Sequence, residues 1–160
     1  MKKTVYLSLG SNLGDRRANL RNAIGKLLNV GNLLAVSSFY ETEPVEFTEQ
    51  PWFLNCAVAL QTELNADDFL KEIISIEREM GRQRTAPKGP RTVDIDILLF
   101  GKAVIHQPQL TIPHPAMHQR RFVLEPLAEI APDTQHPVLK KTAREMLKSL
   151  PKAGALVKKA

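Results

Sequence analysis

"GPRTVDIDILLF", residues 89–100, decides how the chain is read. Its second half is apolar and β-branched, as in a buried strand. Asp94 and Asp96 interrupt it. Side chains alternate along a strand, so both acids point to one face, with Cα atoms about 7 Å apart. Val93, Ile95 and Ile97 point to the other face, into a core. Two carboxylates at that spacing repel unless a cation or a metal ion lies between them. Mg²⁺ suits such a pair, because it binds one or two carboxylates together with substrate phosphates. Two metals about 4 Å apart can share such acids. The plain alternative is a solvated or salt-bridged pair on a half-exposed strand, since Asp-x-Asp arises often by chance.

The neighbourhood favours the chemical reading. Arg82, Arg84, Lys88 and Arg91 precede the strand with no acid among them, and His114, His118, Arg120 and Arg121 follow it. Arginine forks phosphate oxygens bidentately, so cations flanking an acid pair suit metal plus polyphosphate.

Outward from this strand, the elements order themselves. "TVYLSLG" (4–10) reads as a first strand and 15–29 as a helix capped by Asp15, with Leu20, Ala23, Ile24, Leu27 and Leu28 on its apolar face. A second strand covers 33–43 and ends at Pro44; a loop follows to Trp52, and a third strand spans 53–64. Asn65 caps a second helix that Gly81 stops. Residues 82–91 form an exposed basic loop, a candidate lid, and 92–100 the fourth strand. Short strands near "KAVIH" (102–106), a helix around 122–130, a last helix over 140–150 and a frayed basic tail over 151–160 complete the chain. The order β-α-β-β-α-β predicts an α+β, ferredoxin-like split βαβ domain, an antiparallel sheet with helices on both sides, as a single unit over residues 1–160.

The chain of 160 residues carries 43% hydrophobic and 24% charged residues, the balance of a single globular domain. No run approaches a membrane span and no signal peptide is visible. Cys56, the lone cysteine, lies in "LNCAVAL" and reads as a buried thiol; a reducing cytoplasm fits it. The net charge of +5 points to an anionic partner. "GSNLG" (10–14) is too short for a phosphate-binding glycine loop and reads as a turn into a capped helix. Phe53 and Phe122 could stack a flat heterocycle whose edge Asn55 reads, although phenylalanines are more often plain core residues. Asn55 inside an apolar strand needs hydrogen-bond partners, and a ligand is one candidate.

The motifs "LSLGSNLGDR" (7–16), "SSFYETEPV" (37–45), "FLNCAVAL" (53–60), "GPRTVDIDILLFG" (89–101) and "LTIPHPAMHQRRFVLEPLAEIAP" (110–132) resemble, in order, those of the 6-hydroxymethyl-7,8-dihydropterin pyrophosphokinase family. The resemblance implies transfer of pyrophosphate from ATP to the pterin alcohol in folate biosynthesis, two Mg²⁺ ions, ATP as co-substrate and a monomer. It implies that Asp94 and Asp96 ligate the metals and that Arg82 and Arg91 clamp phosphates. Glu77, Arg84, Ile97, His114 and Arg120 would stand near ATP. Gly10, Thr42, Val45, Phe53, Asn55 and Phe122 would form the pterin pocket. Lys88 stands where many members have an aromatic residue, Thr85 where some have a basic one, and Ala116 where many have arginine. Two other readings compete: a basic nucleic-acid-binding module, and a metal-dependent glycosyltransferase built on Asp-x-Asp. Acids amid the basic cluster disfavour the first, and the absence of a Rossmann pattern disfavours the second.

Overall fold

The computed structural model describes residues 1–43, 51–81, 92–151 and 157–160. The elements run β1 (Lys3–Ser11), α1 (Arg16–Leu27), β2 (Asn32–Val36), β3 (Tyr40–Thr42), β4 (Phe53–Thr62), α2 (Ala66–Glu79), β5 (Asp94–Phe100), β6 (Ile105–Gln107), β7 (Leu110–Ile112), a 3₁₀ turn (Met117–Gln119), α3 (Arg121–Ile130), α4 (Ala143–Lys148) and β8 (Val157–Lys159). The main sheet has the order β5-β1-β4-β3-β8, with β2 also paired to β4. Every pairing is antiparallel. This is the expected split βαβ arrangement.

Period-two patterning builds two cores. Val5, Leu7 and Leu9 of β1, Cys56, Val58 and Leu60 of β4, and Ile95 and Ile97 of β5 face α1 and α2. Phe69 of α2 fills that core and meets Phe100 edge-to-face, with ring centroids 5.7 Å apart. The opposite face packs Ala57, Leu98 and Leu99 under α3 and α4. The β1–β5 register shifts between Tyr6 and Leu7, so Leu98 and Leu99 both enter the second core. Burial pushes the Cys56 thiol up to about 12, so it is inert at neutral pH.

The helix starts follow local chemistry. Asp15 accepts from Ala18 N (3.1 Å) and Asn65 from Asp68 N (2.8 Å). Gly81 adopts φ +80° just past α2, a conformation that side chains resist. Thr142 and Glu145 form a reciprocal capping box that starts α4 at Ala143, shorter than the helix expected over 140–150. Leu28 is 55% exposed rather than on the apolar face, because α1 ends at Leu27.

Two expectations are corrected by distant partners. The single strand expected over 33–43 is two strands. Between them Ser37 Oγ accepts from Ala57 N (2.9 Å), and Ser38 donates through N and Oγ to Glu129 (2.8 and 3.0 Å). Ser37 keeps one backbone bond to β4, from its N to Ala57 O (2.9 Å), and the side-chain bonds interrupt the ladder beyond it. The basic tail, expected to fray, contributes Val157–Lys159 as β8 on the outer edge of β3. Ala160 N donates to Phe39 O (2.8 Å), and the Lys158 amine sits 5.8 Å from the Trp52 ring. The short strands near "KAVIH" form the β6–β7 hairpin.

His136 gives the fold a pH dependence. It is buried, its Nδ1 accepts from Val138 N (3.2 Å) and Leu139 N (3.0 Å), and its ring meets His118 edge-on. Burial, and then the neighbouring His118, lower its pKa from the ordinary 6.5. The unfolded chain therefore binds more protons just below that value, and stability falls as pH drops through this window. Melting temperature should fall between pH 7 and 5.5, and fall less in His136→Asn, whose amide oxygen accepts without titrating. Equal slopes would exclude this role for His136.

Candidate active site

The site lies on the α3 face of the sheet, beyond the end that α3 and α4 cover. Register fixes its layout. Asp94 lies opposite Gly10 and Asp96 opposite Ser8 across β5–β1; Gly10 lies opposite Asn55 across β1–β4; Phe53 lies opposite Thr42 across β4–β3. Asp94 and Asp96 are half-buried, while Ile95 and Ile97 between and beyond them are buried on the other face. The alternation read from "TVDIDILLF" therefore holds along the acid-bearing part of the strand. Asn55 and Asp94 stand on either side of β1, roughly 10 Å apart at two strand spacings.

On the β4 side, Thr42 Oγ1 donates to Asn55 Oδ1 (2.7 Å), and both residues are buried. That bond orients the amide. A Cβ at Gly10 would lie 2.9 Å from Asn55 Nδ2 and 3.4 Å from Phe53 Cδ1, so only glycine lets β1 pass this close. Phe122 opens α3, which packs over β4, and the Arg120 guanidinium lies 5.5 Å from its ring. Phe53 and Phe122 are both half-buried.

On the β5 side, the outer edge of the strand is closed by side chain and loop. Glu77 is buried, and its Oε2 accepts from Ile95 N (3.0 Å). It anchors α2 to the acid-bearing strand from the other face. His114 N donates to Leu98 O (3.0 Å), which brings the imidazole beside β5. Burial and the Arg120 charge hold the His114 pKa below its ordinary value against the opposing pull of Asp94. Ala116 N donates to His114 Nδ1 (3.2 Å), so the neutral ring carries its proton on Nε2 as a donor.

Of the residues expected from sequence, the structure brings Gly10, Thr42, Phe53 and Asn55 together, and sets His114 within electrostatic reach of both Asp94 and Arg120. Ile97 is buried in the first core, away from the acid face. Val45, Arg82, Arg84 and Arg91 lie outside the described residues, as does the expected lid over 82–91. Sequence reasoning did not single out Arg16 or Glu41, which form a bidentate ion pair beside this site. Arg16 ends the motif at 7–16 and Glu41 lies in the one at 37–45, but nothing local pairs two charges 25 residues apart.

The donors present suit Mg²⁺ held jointly with a polyphosphate. Among the described residues no group of three or more His, Cys, Asp or Glu could hold a metal. Two carboxylates on one strand face, with further oxygens supplied by substrate, are what Mg²⁺ accepts.

Fold and site define the class: a ferredoxin-like α+β domain with a carboxylate pair on β5 and a shielded buried amide on β4, flanking β1 on one sheet face. The family profile described as "7,8-dihydro-6-hydroxymethylpterin-pyrophosphokinase (HPPK)" matches residues 6–132. Among relatives, the Bacillus subtilis 2-amino-4-hydroxy-6-hydroxymethyldihydropteridine pyrophosphokinase is 48% identical over 132 residues, covering 81% of this chain and 79% of that protein. The enzyme of the same name from Methylorubrum extorquens is 43% identical over 152 residues, covering 94% and 95%. The Dictyostelium discoideum folic acid synthesis protein FOL1 is 43% identical over 94% of this chain, which spans only 23% of that longer protein. A solved Plasmodium falciparum HPPK-DHPS chain superposes with TM-score 0.75 at 19% identity, over 92% of this chain and 42% of that one; at that identity the likeness concerns the fold. The chain belongs to the 7,8-dihydro-6-hydroxymethylpterin-pyrophosphokinase family. These relatives are named for folate synthesis or this pyrophosphokinase, and none of them for nucleic-acid binding.

Proposed function

We propose that this chain transfers the β,γ-diphosphate of ATP to the hydroxymethyl oxygen of 6-hydroxymethyl-7,8-dihydropterin, in folate biosynthesis. The observation that carries this reading is the register that sets Asp94 and Asn55 on either side of Gly10. A flat pterin held at Asn55 directs its carbinol toward the acid pair. The hydroxyl oxygen bonds to the β-phosphorus, the bond from that phosphorus to the α,β-bridging oxygen breaks, and AMP leaves with the bridging oxygen. The hydroxyl proton passes to solvent.

Phosphoryl-type transfer needs positioning and charge neutralisation more than covalent help. Asp94 and Asp96 hold Mg²⁺, two ions in this reading, and ATP is the co-substrate. Bound metal offsets phosphate charge and lines up the reacting atoms. Arg82 and Arg91 clamp phosphates; His114, whose neutral ring carries its proton on Nε2, and Arg120 add donors, and Arg84 a further charge. Glu77 and Ile97 support this side through β5. Phe53 and Phe122 stack the pterin; Thr42 and Asn55 read its edge, with Gly10 and Val45 lining the pocket. The active unit in this reading is a monomer.

The test is a product assay with Mg²⁺, ATP and the pterin alcohol, resolving nucleotides by chromatography. AMP should form in step with the pterin diphosphate. ADP would mean a simple kinase, and no pterin-dependent turnover by folded protein would overturn the reading.

A further inference from the structure

The turn at "GSNLGDR" (10–16) is not a phosphate loop, yet it is heavily bonded. Asn19 Nδ2 donates to Leu13 O (2.7 Å) and Ser11 Oγ (3.2 Å), which stiffens the turn from α1. Buried Asn12 donates through Nδ2 to Pro51 O (3.2 Å). Arg16 donates through Nη1 and Nη2 to the two Glu41 carboxylate oxygens (2.8 and 2.7 Å), and through Nη1 to Trp52 O (3.0 Å). Glu41 adjoins Thr42, and Trp52 adjoins Phe53. One guanidinium thus ties the Glu41 carboxylate to the Trp52 backbone carbonyl, each belonging to the residue before one expected in the pterin pocket.

Bidentate Arg–carboxylate pairing fixes a plane as well as a distance, which lysine cannot reproduce. The pair is partly shielded, with Arg16 29% and Glu41 23% exposed. The Arg16 hydrogen bond is the main cause that holds the Glu41 carboxyl below the usual carboxylate range, against burial. Glu41 is therefore ionised at neutral pH.

We propose that Arg16 is a positioning residue for the pterin pocket: its fork on Glu41 and its bond to the Trp52 carbonyl hold Thr42 and Phe53 in place beside Gly10, setting pterin affinity without touching the pterin. This rests on the reading that Thr42, Phe53 and Asn55 bind pterin. An ordinary surface ion pair would change stability slightly and leave both Michaelis constants alone.

The experiment compares steady-state kinetics of Arg16→Met and Arg16→Lys with Asn55→Ala and the nearly isosteric Thr42→Val as pocket references. Arg16→Met should raise KM for the pterin about tenfold, a modest share of what misplacement of about 1 Å can cost. KM for ATP should stay within about twofold. Arg16→Lys should resemble Arg16→Met, because charge without the fork does not fix the geometry. Arg16→Met with Glu41→Leu should be no worse than Arg16→Met alone, as for residues that act as one unit. If the references raise the pterin KM and Arg16→Met does not, the positioning role is overturned and the pocket stands. If Arg16→Met raises both KM values together, its role is general stability and the proposal fails. If the references leave the pterin KM unchanged, the pocket reading itself fails.

Discussion

Asp94→Asn and Asp96→Asn should each lower kcat/KM for AMP formation by about 10³-fold or more, roughly 4 kcal/mol of transition-state stabilisation. The asparagines keep the side-chain volume and remove only the charge. Both acids are half-buried on the sheet face that carries the site, while the packing of β5 rests on Ile95 and Ile97 on the other face. The fold should therefore persist, with melting temperatures within about 3 °C of the parent chain, the size of shift that 1 kcal/mol produces in a domain this large. The measurement is AMP release across a range of pterin concentrations, with circular dichroism to confirm folding. Retention of a tenth of the activity by either variant would remove that carboxylate from the metal site. Raising Mg²⁺ should rescue little, because a neutral amide is a poor ligand for a hard cation.

The acids were legible because strand patterning has period two. One short stretch set their common face, and the structure places them so. The two cores were equally legible, since alternation in β1, β4 and β5 separates Val5, Leu7, Leu9 and Cys56 from Ser8, Gly10 and Asn55. Local capping chemistry at Asp15 and Asn65 was readable for the same reason: its donors lie three residues away.

What escaped the sequence depends on distant partners. The break between β2 and β3 needs Glu129, 91 residues from Ser38. That carboxylate also accepts from Tyr40 Oη (2.6 Å), tying α3 to the strand that carries Thr42. The tail joins the sheet because β3 leaves an edge to pair, which no property of "VKK" itself announces. The bulge at Leu98 is likewise invisible in an unbroken apolar run. The side chain of Ile97 belongs to the first core, so any part it plays beside ATP falls to its backbone or to its place in β5. The Arg16–Glu41 pair had no local signal, although "GSNLGDR" itself stood out.

Gly10→Ala should raise KM for the pterin by about 10²-fold, the scale on which displaced substrate contacts register. Gly10 sits in β1 between β4 and β5, with Asn55 opposite on one side and Asp94 on the other. The new methyl would come within 2.9 Å of Asn55 Nδ2, too close to persist. The amide cannot simply swing away, because Asn55 is 4% exposed and its Oδ1 is bonded to Thr42. Either that bond breaks, or β1 separates from β4. Both displace the Asn55 amide, the edge proposed to read the pterin, and overpacking of this kind costs about 1–3 kcal/mol of stability. ATP binding should change far less, since Asp94 and Asp96 meet β1 from the other side. The double variant Gly10→Ala with Asn55→Ala separates the two effects: removing the amide relieves the clash, so stability should return while the pterin KM stays high. Denaturant midpoints and the two Michaelis constants measure this. A Gly10→Ala enzyme with a pterin KM within twofold of the parent would show that the Asn55 amide does not recognise the substrate. Recovery of both stability and pterin KM in the double variant would make Asn55 a packing residue and return the buried amide to the structural role of holding β3 on β4.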